Sequence, residues 1–364
     1  MDMPPTKARS IGDMRVEPHP LCALCGSSGD LLYSGLIDHQ YGIPGKWSLR
    51  KCRNKTCGLV WQDPMIVADD LSLAYKTYYT HAGHDVFGPD NISRRVFEFL
   101  DRQAARVLGL QPERLRLKYG FLDDLPAGAL LDIGCGSGDF AAGMQSLGWT
   151  VRGTDVDPHA ATAAIRNHGF RVDVGQLEAL AYPNGSFDAV TARHVIEHLR
   201  DPKAFMLECW RILKPGGRLL MVTPNADSFG HHIYREHWQG LEPPRHLFLF
   251  ARHTLHSLAA SCGIHPPSVF STAQGASYIF RSSERIRVGK YDAARSSART
   301  LVKYWFWLFQ EVRRLRGGAS DCGEELVLIA TKPARPLAAV VSLFRSANDH
   351  QHNKPGRPAC LLQR

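Results

Sequence analysis

An α/β fold with a mainly parallel sheet, preceded by a small cysteine module, is what this sequence predicts, and three observations carry it. First, Leu130 to Phe140 read Leu-Leu-Asp-Ile-Gly-Cys-Gly-Ser-Gly-Asp-Phe, an apolar run that ends in an acid and breaks into glycines at alternate positions. This is the pattern of a buried strand turning sharply into a helix, with no Cβ atoms to keep a ligand off the backbone. Second, apolar runs of strand length alternate with helical segments over the two hundred or so residues that follow, which implies a sheet covered on both faces. Third, four cysteines fall in two close pairs near the start of the chain.

Taken in order, residues 1–17 are polar with paired prolines and are expected to be disordered. Residues 18–65 form the cysteine module: Cys22-Ala-Leu-Cys25-Gly and Cys52-Arg-Asn-Lys-Thr-Cys57-Gly are separated by 26 residues. Two thiols on one turn and two on another can close a tetrahedron around zinc, and glycine after each pair permits the tight turn. Four thiolates leave no open position, so such a site is structural. Cys209, Cys262, Cys322 and Cys360 lack paired spacing.

Residues 66–125 read as a helical connector, with Val96, Phe97, Leu100, Ala104, Val107 and Leu108 at helical spacing. The sheet domain follows over 126–335. Its strands are expected at Ala129–Ile133, Thr150–Thr154, Phe170–Val174, Phe187–Ala192, Gly217–Val222 and Leu326–Ala330. Helices are expected at Pro158–Asn167, with Asp157 as its N-cap, and at Pro202–Leu213, ended by Pro215-Gly216-Gly217. Residues 225–250, rich in His, Trp and Pro, read as a long functional loop, and 336–364 as a disordered tail.

Composition bounds the function. The 364 residues are 44% hydrophobic and 22% charged, ordinary for a globular protein. No run approaches a membrane span, and the N-terminus has no apolar core of a secretory signal, so the cytoplasm is the expected location. The formal charge of +9 is uneven: residues 281–318 hold ten Lys and Arg against three Asp and Glu. The sheet domain's first half therefore carries no basic footprint for nucleic acid.

Asp155 ends the second strand about 20 residues after the glycine turn, where an acid suits the two hydroxyls of a ribose. That admits a dinucleotide or S-adenosylmethionine. Further segments narrow the choice: Gly175-Gln176-Leu177-Glu178, Phe187-Asp188-Ala189-Val190, His194-Val195-Ile196-Glu197-His198-Leu199 and Leu213-Lys214-Pro215-Gly216-Gly217. With the turn, they resemble the class I S-adenosylmethionine-dependent methyltransferases over roughly Leu130 to Thr223. The resemblance implies a Rossmann-like seven-stranded sheet whose last strand is antiparallel. It implies that Asp132, Gly134, Cys135, Gly136 and Gly138 line the methionine and ribose, and that Asp155 binds the ribose hydroxyls. It further places Val156 and Leu177 beside the adenine, Gln176 at its amino group, and Arg193 near the methionyl end. The whole chain resembles a narrower group with a cysteine-rich zinc module before that domain and a Pro-x-His-Leu segment after the fifth strand, here within Pro243 to Phe250. Enzymes of this kind often act on sugars, glycan precursors or other small natural products.

Methyl transfer to a hydroxyl or carbon needs an aligned acceptor and removal of a proton. His246 is the leading base, being in the loop expected to cover the acceptor; His237 is its rival, and Tyr234, Trp238 and Arg245 are expected on the acceptor side. His194, Glu197 and His198 share one face of a helical turn and are also placed there. Ubiquinone-type O-methyltransferases have E-x-x-E-H at the corresponding place, linked to a divalent ion; here His194 replaces the first acid, which disfavours a hard cation. A helix at about 296–316 shows Leu301, Trp305, Leu308, Val312 and Leu315 as one stripe, widened by Val302, Phe306 and Phe309, with Lys303, Trp307, Gln310 and Arg314 opposite. It reads as a core or dimer face, or as a peripheral contact with an anionic membrane. The expected function is methyl transfer to a small molecule or glycan precursor, with zinc as structural metal. The alternatives are an RNA methyltransferase, and a non-catalytic binding or assembly subunit.

Overall fold

The computed structural model describes residues 9–75, 92–289, 298–318 and 321–334. The strands run β1 (Arg9–Ile11), β2 (Met14–Glu17), β3 (Gly29–Leu36), β4 (Trp47–Cys52), β5 (Val60–Gln62), β6 (Met65–Ile66), β7 (Ala129–Ile133), β8 (Thr150–Asp155), β9 (Arg171–Val174), β10 (Phe187–Arg193), β11 (Leu213–Pro224), β12 (Phe248–Leu249), β13 (Ser268–Thr272) and β14 (Glu325–Thr331). The helices are α1 (Ile92–Val107), α2 (Gln111–Lys118), α3 (Asp139–Ser146), α4 (Pro158–His168), α5 (Pro202–Ile212), α6 (Phe229–Tyr234), α7 (Arg252–Ser261), α8 (Ala276–Arg287) and α9 (Ala298–Arg316).

The main sheet has seven strands in the order β13-β14-β11-β10-β7-β8-β9. Strands β11, β10, β7, β8 and β9 are mutually parallel, and β14 runs antiparallel between β11 and β13. The central strands carry continuous apolar runs because both faces are covered; Leu130, Leu131, Val190, Leu219 and Leu220 are inaccessible to solvent. The strand order reverses beside β7, so its carboxyl end opens the crevice that α/β sheets use for ligands. Asp157 caps α4 as expected, its side chain accepting from the His159 amide at 2.9 Å.

The N-terminal module is tied into this body. Its sheet runs β12-β5-β4-β3, and β12 comes from the loop that follows β11. Phe248 pairs with Trp61 and Leu249 with Val60. Leu247 joins the two parts through its backbone, donating to Glu197 at 2.8 Å and accepting from Gln62 at 2.9 Å.

Several expectations change. Residues 9–17 are not disordered: β1 and β2 pair antiparallel, and β2 pairs with β6, burying Met14 and Val16. The 225–250 loop is broken into α6, two single helical turns and β12, because its aromatic residues are drawn into the core. Strand β13 and helices α7 and α8 went unread. Helix α9 is rotated from the expected stripe. Tyr304, Leu308, Glu311 and Val312 are buried, while Phe306 and Phe309 are each 50% exposed. Trp307 lies edge-on to Phe229 at 5.8 Å, and the Arg314 guanidinium stacks over the same ring at 4.5 Å. Two residues of the face opposite the expected stripe, Trp307 and Arg314, therefore contact Phe229 of the 225–250 segment. The side chains of Leu301, Val302, Val96 and Phe97, and the whole tail after 334, lie outside the described residues. No described helix is long and apolar enough to cross a membrane.

Candidate active site

The glycine turn sits at the end of β7. Gly134, Gly136 and Gly138 all take positive φ, at 65°, 52° and 84°, which L side chains adopt only at a cost. Their roles then differ. A Cβ on Gly138 would lie 2.8 Å from Phe170 and 3.0 Å from Ala164, so this glycine serves helix–sheet packing. A Cβ on Gly136 would meet nothing within 4 Å, so this glycine opens the backbone to a ligand. Asp155, at the tip of β8, is fixed by two backbone donors: Gly136 N reaches its Oδ2 and Asp157 N its Oδ1, each at 2.9 Å. Burial raises its pKa, but the two donors favour the charged form. The remaining lone pairs suit a pair of vicinal hydroxyls. Val156 beside it is 64% exposed, an apolar surface at the position expected for adenine. Gln176 is exposed on the same rim. These residues fit the nucleoside half of S-adenosylmethionine.

Other expected cofactor contacts are set deeper. Asp132 is buried and accepts from Thr191 Oγ1 at 2.7 Å, and burial pushes its pKa up to about 6. The Cys135 side chain turns into a core cluster with Ala141 and Phe170, leaving only its backbone on the turn. Leu177 is likewise buried in the main core rather than free to flank a ring. Arg193 is half-buried, its guanidinium 4.9 Å above the Phe140 ring.

At the tips of β10 and β11 lies a histidine–carboxylate cluster. His194 has a φ of 54°, unusual for a residue with a side chain. Its Nδ1 is 3.3 Å from Glu197 Oε1 and its Nε2 is 3.1 Å from Glu325 Oε1. Desolvation opposes its charge, but the flanking carboxylates of Glu197 and Glu325 outweigh that and raise its pKa to about 10, while 42% of the side chain stays exposed. Glu197 is fully buried and accepts from Thr223 Oγ1 at 3.0 Å. Burial works against its charge too, yet His194 brings its pKa down to about 2.

His198 and His246 stack edge to face, with centroids 4.7 Å apart. Each donates Nδ1–H to a backbone carbonyl, His198 to Arg245 at 3.1 Å and His246 to Gly240 at 2.7 Å. That assigns the lone pair to Nε2 in both rings. Burial, first among the causes, lowers both pKa values to about 4, so both rings are neutral near pH 7. Donor atoms of Glu197, His198 and His246 lie within 4.8 Å of one another. Of the Glu197 carboxylate, Oε2 accepts from Thr223, while Oε1 lies 3.3 Å from His194 Nδ1 and has no hydrogen-bond partner among the described residues.

The remaining acceptor-side expectations separate. Arg245 is not an acceptor contact: it is inaccessible, bonded to Asp38 Oδ2 at 2.8 Å and Glu242 Oε1 at 2.9 Å, and stacked over Tyr41 at 4.4 Å. It braces the module against the loop. Trp238 is also buried, donating Nε1–H to Glu324 Oε2 at 2.9 Å and stacked on His231. Tyr234 packs in the core beside Phe280 rather than facing an acceptor, drawn in because its ring completes the α6–α8 contact. His237 is 37% exposed and lines a cavity of about 230 Å³ between residues 34–40 of the module and 236–243 of the loop. Ser34, His39, Gln40, Glu236, Gln239 and Glu242 supply its polar lining. Glu242 also approaches His246 Nε2, at 3.8 Å, and so connects cavity and cluster. The sequence reading missed Asp38, His39, Glu242, Glu324 and Glu325. Only their three-dimensional proximity identifies them; no short motif contains them.

The four expected cysteines do converge. Cys22 and Cys57 sulfurs are 3.6 Å apart, Cys25 and Cys52 sulfurs 3.5 Å, and all four lie within 4.8 Å of one another. A tetrahedron with bonds of about 2.3 Å puts sulfurs about 3.8 Å apart, so the set fits zinc. Gly26 and Gly58, at φ 70° and 64°, close the two turns. Among the described residues no other cysteines cluster.

Residues 93–264 match the family model described as a methyltransferase domain. A ubiquinone biosynthesis O-methyltransferase of Xanthomonas oryzae pv. oryzae is 42% identical over 123 residues, 32% of this chain and 51% of that protein. A probable S-adenosylmethionine-dependent methyltransferase of Mycolicibacterium smegmatis is 41% identical over 102 residues, 28% of this chain and 39% of that one. The chain thus spans about half the length of the curated relatives it matches best among these, or less. Among solved structures, phosphoethanolamine N-methyltransferase 2 of Haemonchus contortus, in complex with S-adenosyl-L-methionine, is 19% identical. It covers 90% of this chain and 71% of its own, with a TM-score of 0.46.

Proposed function

We infer that this chain, which carries a class I methyltransferase domain, moves a methyl group from S-adenosylmethionine to a hydroxyl or carbon of a small-molecule or glycan-precursor acceptor. The observation that carries the reading is the Asp155 carboxylate, fixed by Gly136 and Asp157 amides beside the open backbone of Gly136. S-adenosylmethionine, when bound, supplies an electrophilic methyl group. The chain's own residues then have three tasks. Asp155, Val156 and Gln176 hold the nucleoside. The cavity between the module and the 225–250 segment orients the acceptor; its hydroxyl, amide, imidazole and carboxylate lining suits a polyhydroxylated molecule. His246 Nε2, unprotonated near pH 7, takes the acceptor proton, and His237 positions the acceptor from the cavity wall.

In this reading the four cysteines hold zinc, which stabilises the module and through β5 and β12 supports the loop bearing His237 and His246. The test is transfer of labelled methyl from S-adenosylmethionine to hydroxylated acceptors. His246→Ala should lower kcat by about 10² to 10⁴. His237→Ala should chiefly raise KM. No transfer to any hydroxylated acceptor, with transfer to RNA instead, would overturn the acceptor class.

A further inference from the structure

Two carboxylates from distant parts of the chain converge on one side chain. Glu197 comes from the turn after β10 and Glu325 is the first residue of β14. Between them lies the His194 ring, with Nδ1 3.3 Å from one carboxylate and Nε2 3.1 Å from the other. The Nε2 contact is a hydrogen bond and the Nδ1 contact is at ion-pair distance, and a ring flanked by two carboxylates is favoured as the imidazolium. The carboxylates are not free to turn to water instead. The Glu197 side chain is 0% exposed and the Glu325 side chain 14%. His194 reaches this place by adopting a φ of 54°, while its amide continues the sheet by donating to Val222 at 2.8 Å. Such strain persists where the surroundings fix it.

The neighbouring residue extends the effect. Glu324 accepts from Gly230 N at 2.5 Å, Trp238 Nε1 at 2.9 Å and Ser228 Oγ at 3.1 Å. The start of β14 therefore anchors the 228–238 segment through one glutamate and the β10 tip through the next.

We propose that the imidazolium of His194 is the resident cation between Glu197 and Glu325, clamping the β10 tip to the start of β14, so that the native chain takes no divalent metal ion there. His194 is then a positioning residue. This role is independent of the acceptor's identity.

The full chain, with its cysteines loaded with zinc, is titrated with Mn²⁺ and free Mn²⁺ is read by electron paramagnetic resonance. The native chain should bind no Mn²⁺ that Mg²⁺ displaces. His194→Ala leaves two carboxylates facing a gap and should bind one Mn²⁺, lost again in His194→Ala/Glu325→Gln. Binding to the native chain that Glu197→Gln abolishes, or no binding to His194→Ala, overturns the proposal. Should His194→Ala fail to fold, His194→Gln is compared in a denaturation cycle with Glu325→Gln. Glu325→Gln should lower the unfolding midpoint of the native chain and raise that of His194→Gln. The same shift in both backgrounds overturns the proposal.

Discussion

Arg245→Met removes a guanidinium that joins the module to the 225–250 segment. The native group is inaccessible, with Asp38 at 2.8 Å and Glu242 at 2.9 Å. Breaking a buried ion pair by deleting one partner costs about 3–5 kcal/mol, because the other charge stays buried and uncompensated. Here the two carboxylates differ. Asp38 keeps backbone donors from Gln40 and Tyr41 at 3.0 Å and from Ile43 at 3.1 Å. Among the described residues, the side-chain donor left to Glu242 is the Gln239 amide, at 3.4 Å. Most of the penalty therefore falls on Glu242, and the loss should sit near the lower end, at about 3 kcal/mol. Urea denaturation followed by circular dichroism measures it. The double variant Arg245→Met/Glu242→Gln should recover more than half of the loss, whereas Arg245→Met/Asp38→Asn should recover little. A loss below about 1 kcal/mol, the value of an exposed pair, would refute the reasoning, as would equal recovery in the two double variants.

Three further outcomes are expected. Cys57→Ser should leave the purified chain without stoichiometric zinc by elemental analysis, and proteolysis should then cut the module while 126–289 resists. The stability contributed by the neutral rings of His198 and His246 should be lost between pH 6.5 and pH 4, against the opposite contribution of Asp132 and Glu324, whose carboxyls burial raises to about 6 and about 7. His198 and His246 have folded pKa values lowered to about 4, so the unfolded chain binds protons first as pH drops. Each ring contributes up to roughly 1.4 kcal/mol per pH unit in that window, and the stability of the native chain minus that of His246→Asn should fall as pH drops from 6.5 to 4 in denaturation series across pH. Gly138→Ala places a Cβ 2.8 Å from Phe170 at a φ of 84° and should cost about 1–3 kcal/mol by the same denaturation assay.

The sheet was readable because its central strands are buried on both faces and so appear as apolar runs, as in Leu219–Val222. The glycine turn and Asp155 were readable because backbone geometry restricts those positions to few residue types. The convergence of the cysteines was readable from their paired spacing. Helix α9 was misread in rotation: both its faces carry aromatics, and only packing against Phe229 and α8 decides which is buried. Arg245, Trp238 and Tyr234 were read as acceptor contacts on the rule that loop residues are functional. Each is instead buried by a partner, Asp38, Glu324 or Phe280, from another part of the chain. The cavity beside His237 was invisible for the same reason, since half of it belongs to the module.

The central claim is that the turn at Gly134–Gly138 and Asp155 binds the methyl donor. Calorimetric titration of the full chain with S-adenosylhomocysteine tests it most directly. One molecule should bind per chain, and Asp155→Ala should weaken binding at least tenfold while leaving the zinc content and unfolding midpoint near those of the native chain. Saturable binding that Asp155→Ala leaves unchanged, or no binding by a folded native chain, would contradict the account.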